Sequence, residues 1–259
     1  MLNRQKLLRP KSLRHFQLRG GQGHRLESLS DSVFGLAIAI LLLASSVPKN
    51  FTELLHFVCD ALPLFICMIF IYHIWHQQAV FFLRYGLYDN ITIRLNLMLL
   101  FLVLFYAYPL KFLMSWLMEF FPLLLWGLLG SEDAWEGIKA LTERVRFQDL
   151  PLLMVIYGAG FLGIFFVFYL LYKHAYKHRE LLELNEIEIV QTQFDIQDVG
   201  IVILVAALSI LIALIGVLAH FSFASFFAGL VYNLLWIIFI PISKRQEKKL
   251  QLLLAEKEG

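Results

Sequence analysis

Long, largely apolar stretches recur along this chain, and they restrict its fold more than any other feature of the sequence. Stretches of 20 residues or more fall near 26–47, 51–82, 95–117, 150–172, 199–220 and 221–242, most of them separated by polar or charged segments. Each is long enough to cross a hydrocarbon layer as a helix, and none alternates in polarity as the strands of a membrane barrel do. Burying this much apolar surface in a water-soluble domain would leave too little polar surface to cover it, because hydrophobic residues make up 59% of the 259 positions and charged residues 16%. The expected fold class is therefore an all-α membrane protein with six transmembrane helices per chain, its main partner the lipid bilayer.

Lys and Arg set the expected orientation. Residues 1–25 carry Arg4, Lys6, Arg9, Lys11, Arg14, Arg19 and Arg25 with no acid, and residues 243–259 are again basic. With six spans these ends share a side with Arg84, Arg94 and the 173–198 segment, while the other side carries Lys49, Lys139, Arg144 and Arg146. The bias predicts a basic cytoplasmic N-terminus (1–25), a six-span domain (26–242) and a basic cytoplasmic tail (243–259). No cleavable signal is expected. Residues 112–130 are apolar but contain Glu119 and Pro122, so the sequence leaves open whether they extend the third span, re-enter the membrane or lie at its interface. The 131–149 segment reads as a solvated loop, and 173–198 as including a cytoplasmic helix.

Several motifs carry less than they suggest. Gly158, Gly160 and Gly163 spell a dinucleotide-binding pattern, but inside an apolar span they read as close helix packing. Cys59 and Cys67 fall in one apolar segment and read as packing residues. His56 with Asp60, and His73 with His76, each share a helix face. However, Asp60 and His73 are about 20 Å apart along a helix at 1.5 Å per residue, and two ligands per site are too few for zinc. No nucleophile motif, Walker loop, potassium-filter sequence or arginine-repeat voltage sensor is present. The expectation is no enzyme, no metal, no cofactor and no nucleic-acid partner.

The first span opens with three charges and three serines: Arg25, Glu27, Ser28, Ser30, Asp31 and Ser32. On spacing alone this is an interfacial helix start, with Arg25 reaching the headgroups and the acids complementing the helix dipole. The stretch also resembles the R-x-x-x-F-S-D signature of the transmembrane protein 175 family of lysosomal and bacterial potassium channels. Arg25, Ser30 and Asp31 match it, and Leu29 stands at the family's Phe. Trp75 and Phe82 resemble the W-x-x-H-…-F pattern of its second span, with Gln78 at the histidine position. Leu95-Asn96-Leu97 up to Pro109 resembles its third span.

The resemblance covers residues 25–110 and implies a homotetramer whose central pore is lined by the first helix. It places the narrowest apolar ring at Leu36 and the threonine ring linked to potassium preference at Ala39, which lacks the hydroxyl. Leu43 and Ser32 continue the same stripe. Arg25, Ser30, Asp31, Trp75, Gln78 and Asn96 are implied to hold the pore helix against its neighbours. The implied function is passive cation conduction, potassium first, in a bacterial cytoplasmic membrane, with monovalent cations as the permeant partners. Two rivals remain: a non-conducting membrane scaffold of the same family, and a His-dependent membrane enzyme or metal transporter.

Overall fold

A computed structural model describes Leu13 and residues 16–20, 25–43 and 49–258, without the side chains of His56 and 256–258. The described residues are helices joined by turns, and six helical stretches are long and apolar enough to cross a membrane. The protein is a multi-pass integral membrane protein. Helix α1 spans Arg25–Leu43. Pro48 of the expected turn lies outside the described residues.

The second crossing is a broken rod, α2 (Phe51–Cys59) and α3 (Ala61–Tyr85), interrupted at Asp60. Pro63 explains the break, since it has no N–H to return to the Cys59 carbonyl. Gly86 ends α3 with φ +56° and donates to the Phe82 carbonyl. A side chain there would be strained, and its Cβ would sit 2.6 Å from the Arg19 carbonyl oxygen.

The third crossing settles residues 112–128. Helix α4 runs unbroken from Asn90 to Leu128, through Pro109 and Pro122. Asp89 caps its start by accepting from the Ile91 N–H at 3.1 Å and the Thr92 hydroxyl at 2.5 Å. The Tyr157 hydroxyl donates to the Pro109 carbonyl at 2.6 Å. The polar stretch that follows is not a solvated loop. It forms an amphipathic helix, α5 (Glu132–Arg144), capped by Ser131, with Ala134, Ile138 and Leu141 buried. Spacing of four and then three residues puts these apolar side chains on one stripe, which packs against the end of α4.

After a short 3-10 turn, α6 (Leu150–Lys177) forms a hairpin with α7 (Glu186–Leu218). Helix α7 starts well before the expected fifth span. A capping box fixes that start: the Asn185 side chain accepts from the Glu188 N–H while the Glu188 carboxylate accepts from the Asn185 N–H. The last crossing is α8 (Ala224–Val231) followed by α9 (Asn233–Glu258), so the basic tail continues the helix. Gly160 lies against the Tyr106 ring and Gly158 against Ile210, so the glycines of α6 serve close packing. The main core, rich in Phe81, Phe82, Tyr85, Val167, Phe168 and Leu171, ties α1, α3 and α4 to α6.

Candidate functional site

Helix α1 has two unlike faces. Ser30, Phe34, Ala37 and Leu41 recur at helical spacing and are buried against α3 and α4. On the opposite side, Ser32, Leu36, Ala39 and Leu43 form an exposed stripe, with Leu36 52% and Leu43 79% exposed. Gly35 stands beside that stripe, and a Cβ added there would meet open space. The Ser32 hydroxyl donates to the Ser28 carbonyl at 2.9 Å, which leaves its oxygen lone pairs facing outward.

The buried face is held by a neutral chain of hydrogen bonds. Ser30 Oγ donates to the Leu26 carbonyl at 2.8 Å and accepts from Asn96 Nδ2 at 2.9 Å. Asn96 Oδ1 accepts in turn from Gln78 Nε2 at 2.5 Å. Ser30 and Asn96 are completely buried and Gln78 is 2% exposed. Three helices thus meet through three side chains, and each serine and asparagine atom in the chain has a partner, which removes the cost of burying them. Gln78, at the histidine position of the resemblance, is a full member of this chain.

The other expected members lie outside this chain of hydrogen bonds. Asp31 is exposed and accepts from Trp75 Nε1 at 2.7 Å. Arg25 is exposed and has no hydrogen-bond partner among the described residues. Glu27 instead accepts from the Tyr88 hydroxyl. Burial, with the Glu27 carboxylate beside it, pushes the Tyr88 phenol up. Burial also works against ionisation of Asp89, but the Thr92 hydroxyl, the Ile91 N–H and His174 outweigh it and hold that carboxyl down at about 2.

Sequence reasoning missed an ionic clamp just ahead of α1. Arg19 donates to Glu188 Oε2 at 2.8 Å and to the Leu182 and Glu183 carbonyls, while the Gln17 N–H donates to Glu188 Oε1 at 2.6 Å. The Arg19 and Gly20 N–H groups donate to the Leu83 carbonyl, both at 3.1 Å. A second ion pair, Arg84 with Asp195 at 2.5 Å, joins α3 to α7 nearby. The Asn185-x-x-Glu188 pattern was the available signal, since it marks a helix start with an acid held in place.

His73 lies 3.3 Å from the Gln77 side chain on its own helix. Among the described residues no three His, Cys, Asp or Glu side chains come together as metal ligands would.

Known proteins resemble the chain over nearly its whole length. Residues 25–106 match the family described as the endosomal/lysosomal potassium channel TMEM175. A protein of Marivirga tractuosa named a potassium channel is 40% identical over 243 residues, covering 91% of this chain and 94% of that protein. The crystal structure of a Thr-to-Ala variant of the potassium channel MtTMEM175, in complex with a nanobody–MBP fusion, is 39% identical. It covers 90% of this chain and 97% of that one, with a TM-score of 0.77.

Proposed function

The chain belongs to the TMEM175 family of potassium channels, and from that premise we propose that it conducts potassium passively through a pore lined by α1. The observation that carries this reading is the pair of unlike faces on α1. A helix whose inner face is locked by Ser30, Asn96 and Gln78 presents a fixed stripe outward, and that stripe holds Ser32, Leu36, Ala39 and Leu43. Four copies arranged around an axis cover it. Each α1 then faces the other three, and both chain ends lie in the cytoplasm of a bacterial cell. The reading requires no bound cofactor beyond the permeant ion and no catalytic step.

Ions entering from the cytoplasmic side meet the Ser32 hydroxyl oxygens, which partly coordinate cations. Beyond them a ring of Leu36 side chains controls passage by dewetting rather than by a carbonyl cage. Ala39 offers no oxygen one turn further on. Any preference for potassium therefore arises from the width and hydration of the Leu36 and Ser32 rings.

The experiment is ion flux from purified protein in liposomes with opposed potassium and sodium gradients. A reversal potential set by potassium is the expected result. Flux of both ions without preference would refute the potassium assignment. Absence of flux, from a verified tetramer and also from a Leu36→Ser variant, would instead identify a non-conducting scaffold.

A further inference from the structure

Away from α1, a cavity of about 580 Å3 opens between the first turns of α4 and the last turns of α6. Ile91 and Leu95 of α4 and Leu170 of α6 give it an apolar wall, and Lys173, Lys177 and Arg179 give it a cationic rim. The arrangement follows from helical spacing. Ile91 and Leu95 are four residues apart, while Leu170, Lys173 and Lys177 fall at i, i+3 and i+7, so each set shares one face. Because α4 and α6 run in opposite directions, Leu95 and Leu170 lie toward the membrane and the cations lie at the helix ends.

The charges at this rim remain available. Lys173 and Lys177 form no ion pair among the described residues. The Lys173 ammonium sits 5.6 Å from the Tyr169 ring centre and the Arg179 guanidinium 4.9 Å from that of Tyr176, contacts that orient both cations without neutralising them. Two acids are near. Glu180, mostly exposed, lies 3.8 Å from Arg179, and Asp89 is engaged by His174 at 3.1 Å and by Thr92. Three cations around an apolar wall, at the end of membrane-crossing helices, complement a molecule with an anionic head and an apolar chain. A free phosphate would use the rim and leave the wall exposed. A choline headgroup would bring its own cation against the lysines.

We propose that this cavity binds the headgroup of an anionic phospholipid, its phosphate between Lys173 and Lys177 and an acyl chain along Leu95 and Leu170. The site is separate from the α1 stripe, so lipid binding is measurable whether or not the chain conducts.

Native mass spectrometry of the purified protein tests this by titration with phosphatidylglycerol and with phosphatidylcholine of identical acyl chains. The wild-type protein should bind phosphatidylglycerol more tightly. Lys173→Gln or Lys177→Gln should each weaken that binding about fivefold, and the pair roughly thirtyfold, while Lys173→Arg with Lys177→Arg retains it. Equal binding of the two lipids, or unchanged phosphatidylglycerol binding by a folded double-glutamine variant, would overturn the site. So would displacement of the lipid by an equal concentration of inorganic phosphate, which would identify a simple anion site. If the double-glutamine variant does not fold, wild-type protein in rising ammonium acetate supplies the same reading. A preference that falls with ionic strength supports the site, and one that does not overturns it.

Discussion

Two polar assemblies fix the start of α1, and they work by different physics. Inside the bundle, Ser30, Asn96 and Gln78 form a neutral chain that is buried throughout. Just before α1, Arg19 and Glu188 form a charged clamp, with Glu188 fully buried and Arg19 near the surface. The neutral chain sets the rotation of α1, because it grips one face of the helix. The clamp sets where the chain enters, because it ties residues 17–20 to the α6–α7 turn and to the end of α3. Together they leave one face of α1 exposed among the described residues. That free face is a consequence of how firmly the other one is held.

The difference in charge predicts a difference in fragility. Glu188→Ala should have the largest effect, because it strands Arg19 and removes half of the α7 capping box. A loss of about 3–5 kcal/mol is expected for breaking a largely buried pair, read as a lowered thermal midpoint in detergent. Asn96→Ala should cost about 1–3 kcal/mol, since Ser30 and Gln78 are each left without one buried partner.

Combining the two substitutions sharpens the comparison. If rotation and entry are set independently, the two losses add to within about 0.5 kcal/mol. A larger deviation would mean that the clamp and the chain act as one unit.

Asp89→Ala should cost about 0.5–2 kcal/mol as a lost helix cap. Because folding lowers the Asp89 carboxyl to about 2, its contribution is fully present above the ordinary aspartate range and disappears as pH falls through the folded value. Melting curves should therefore show the Asp89→Ala deficit shrinking as pH is lowered through the acid range toward 2. Trp75→Phe, which removes the indole partner of the exposed Asp31, should have the smallest effect, about 1 kcal/mol or less.

Local features of the fold were legible in the sequence. Hydropathy alone located the six crossings, and the resemblance named Ser30, Gln78 and Asn96, which the fold brings into one chain. Asp31 and Trp75 also meet. Residues whose partners depend on tertiary placement were not legible. Arg25, expected to help hold the pore helix against its neighbours, is exposed and has no hydrogen-bond partner among the described residues, and Glu27 pairs with Tyr88.

Glu119 and Pro122 left open whether residues 112–130 extend the third span, re-enter the membrane or lie at its interface. A proline removes a single helical hydrogen bond, and here α4 continues with Glu119 paired to Arg144 of α5 at 3.1 Å. The 131–149 stretch was misread because its charges outnumber its apolar residues. The spacing of Ala134, Ile138 and Leu141 carried the helix signal. Arg19 and Glu188 lie 169 positions apart, and no local pattern links an arginine before the first span to the start of the fifth.

The most direct test of the account is thiol accessibility on the two faces of α1 in a Cys59→Ser background, which removes the exposed native cysteine. Leu36 and Ala37 are adjacent, but Leu36 belongs to the exposed stripe and Ala37 to the buried face. With the protein in planar bilayers, a small cationic thiol reagent should block current through Leu36→Cys and leave Ala37→Cys unchanged. Block at position 37, or unimpeded current with position 36 fully modified, would contradict the placement of the pore on this face of α1.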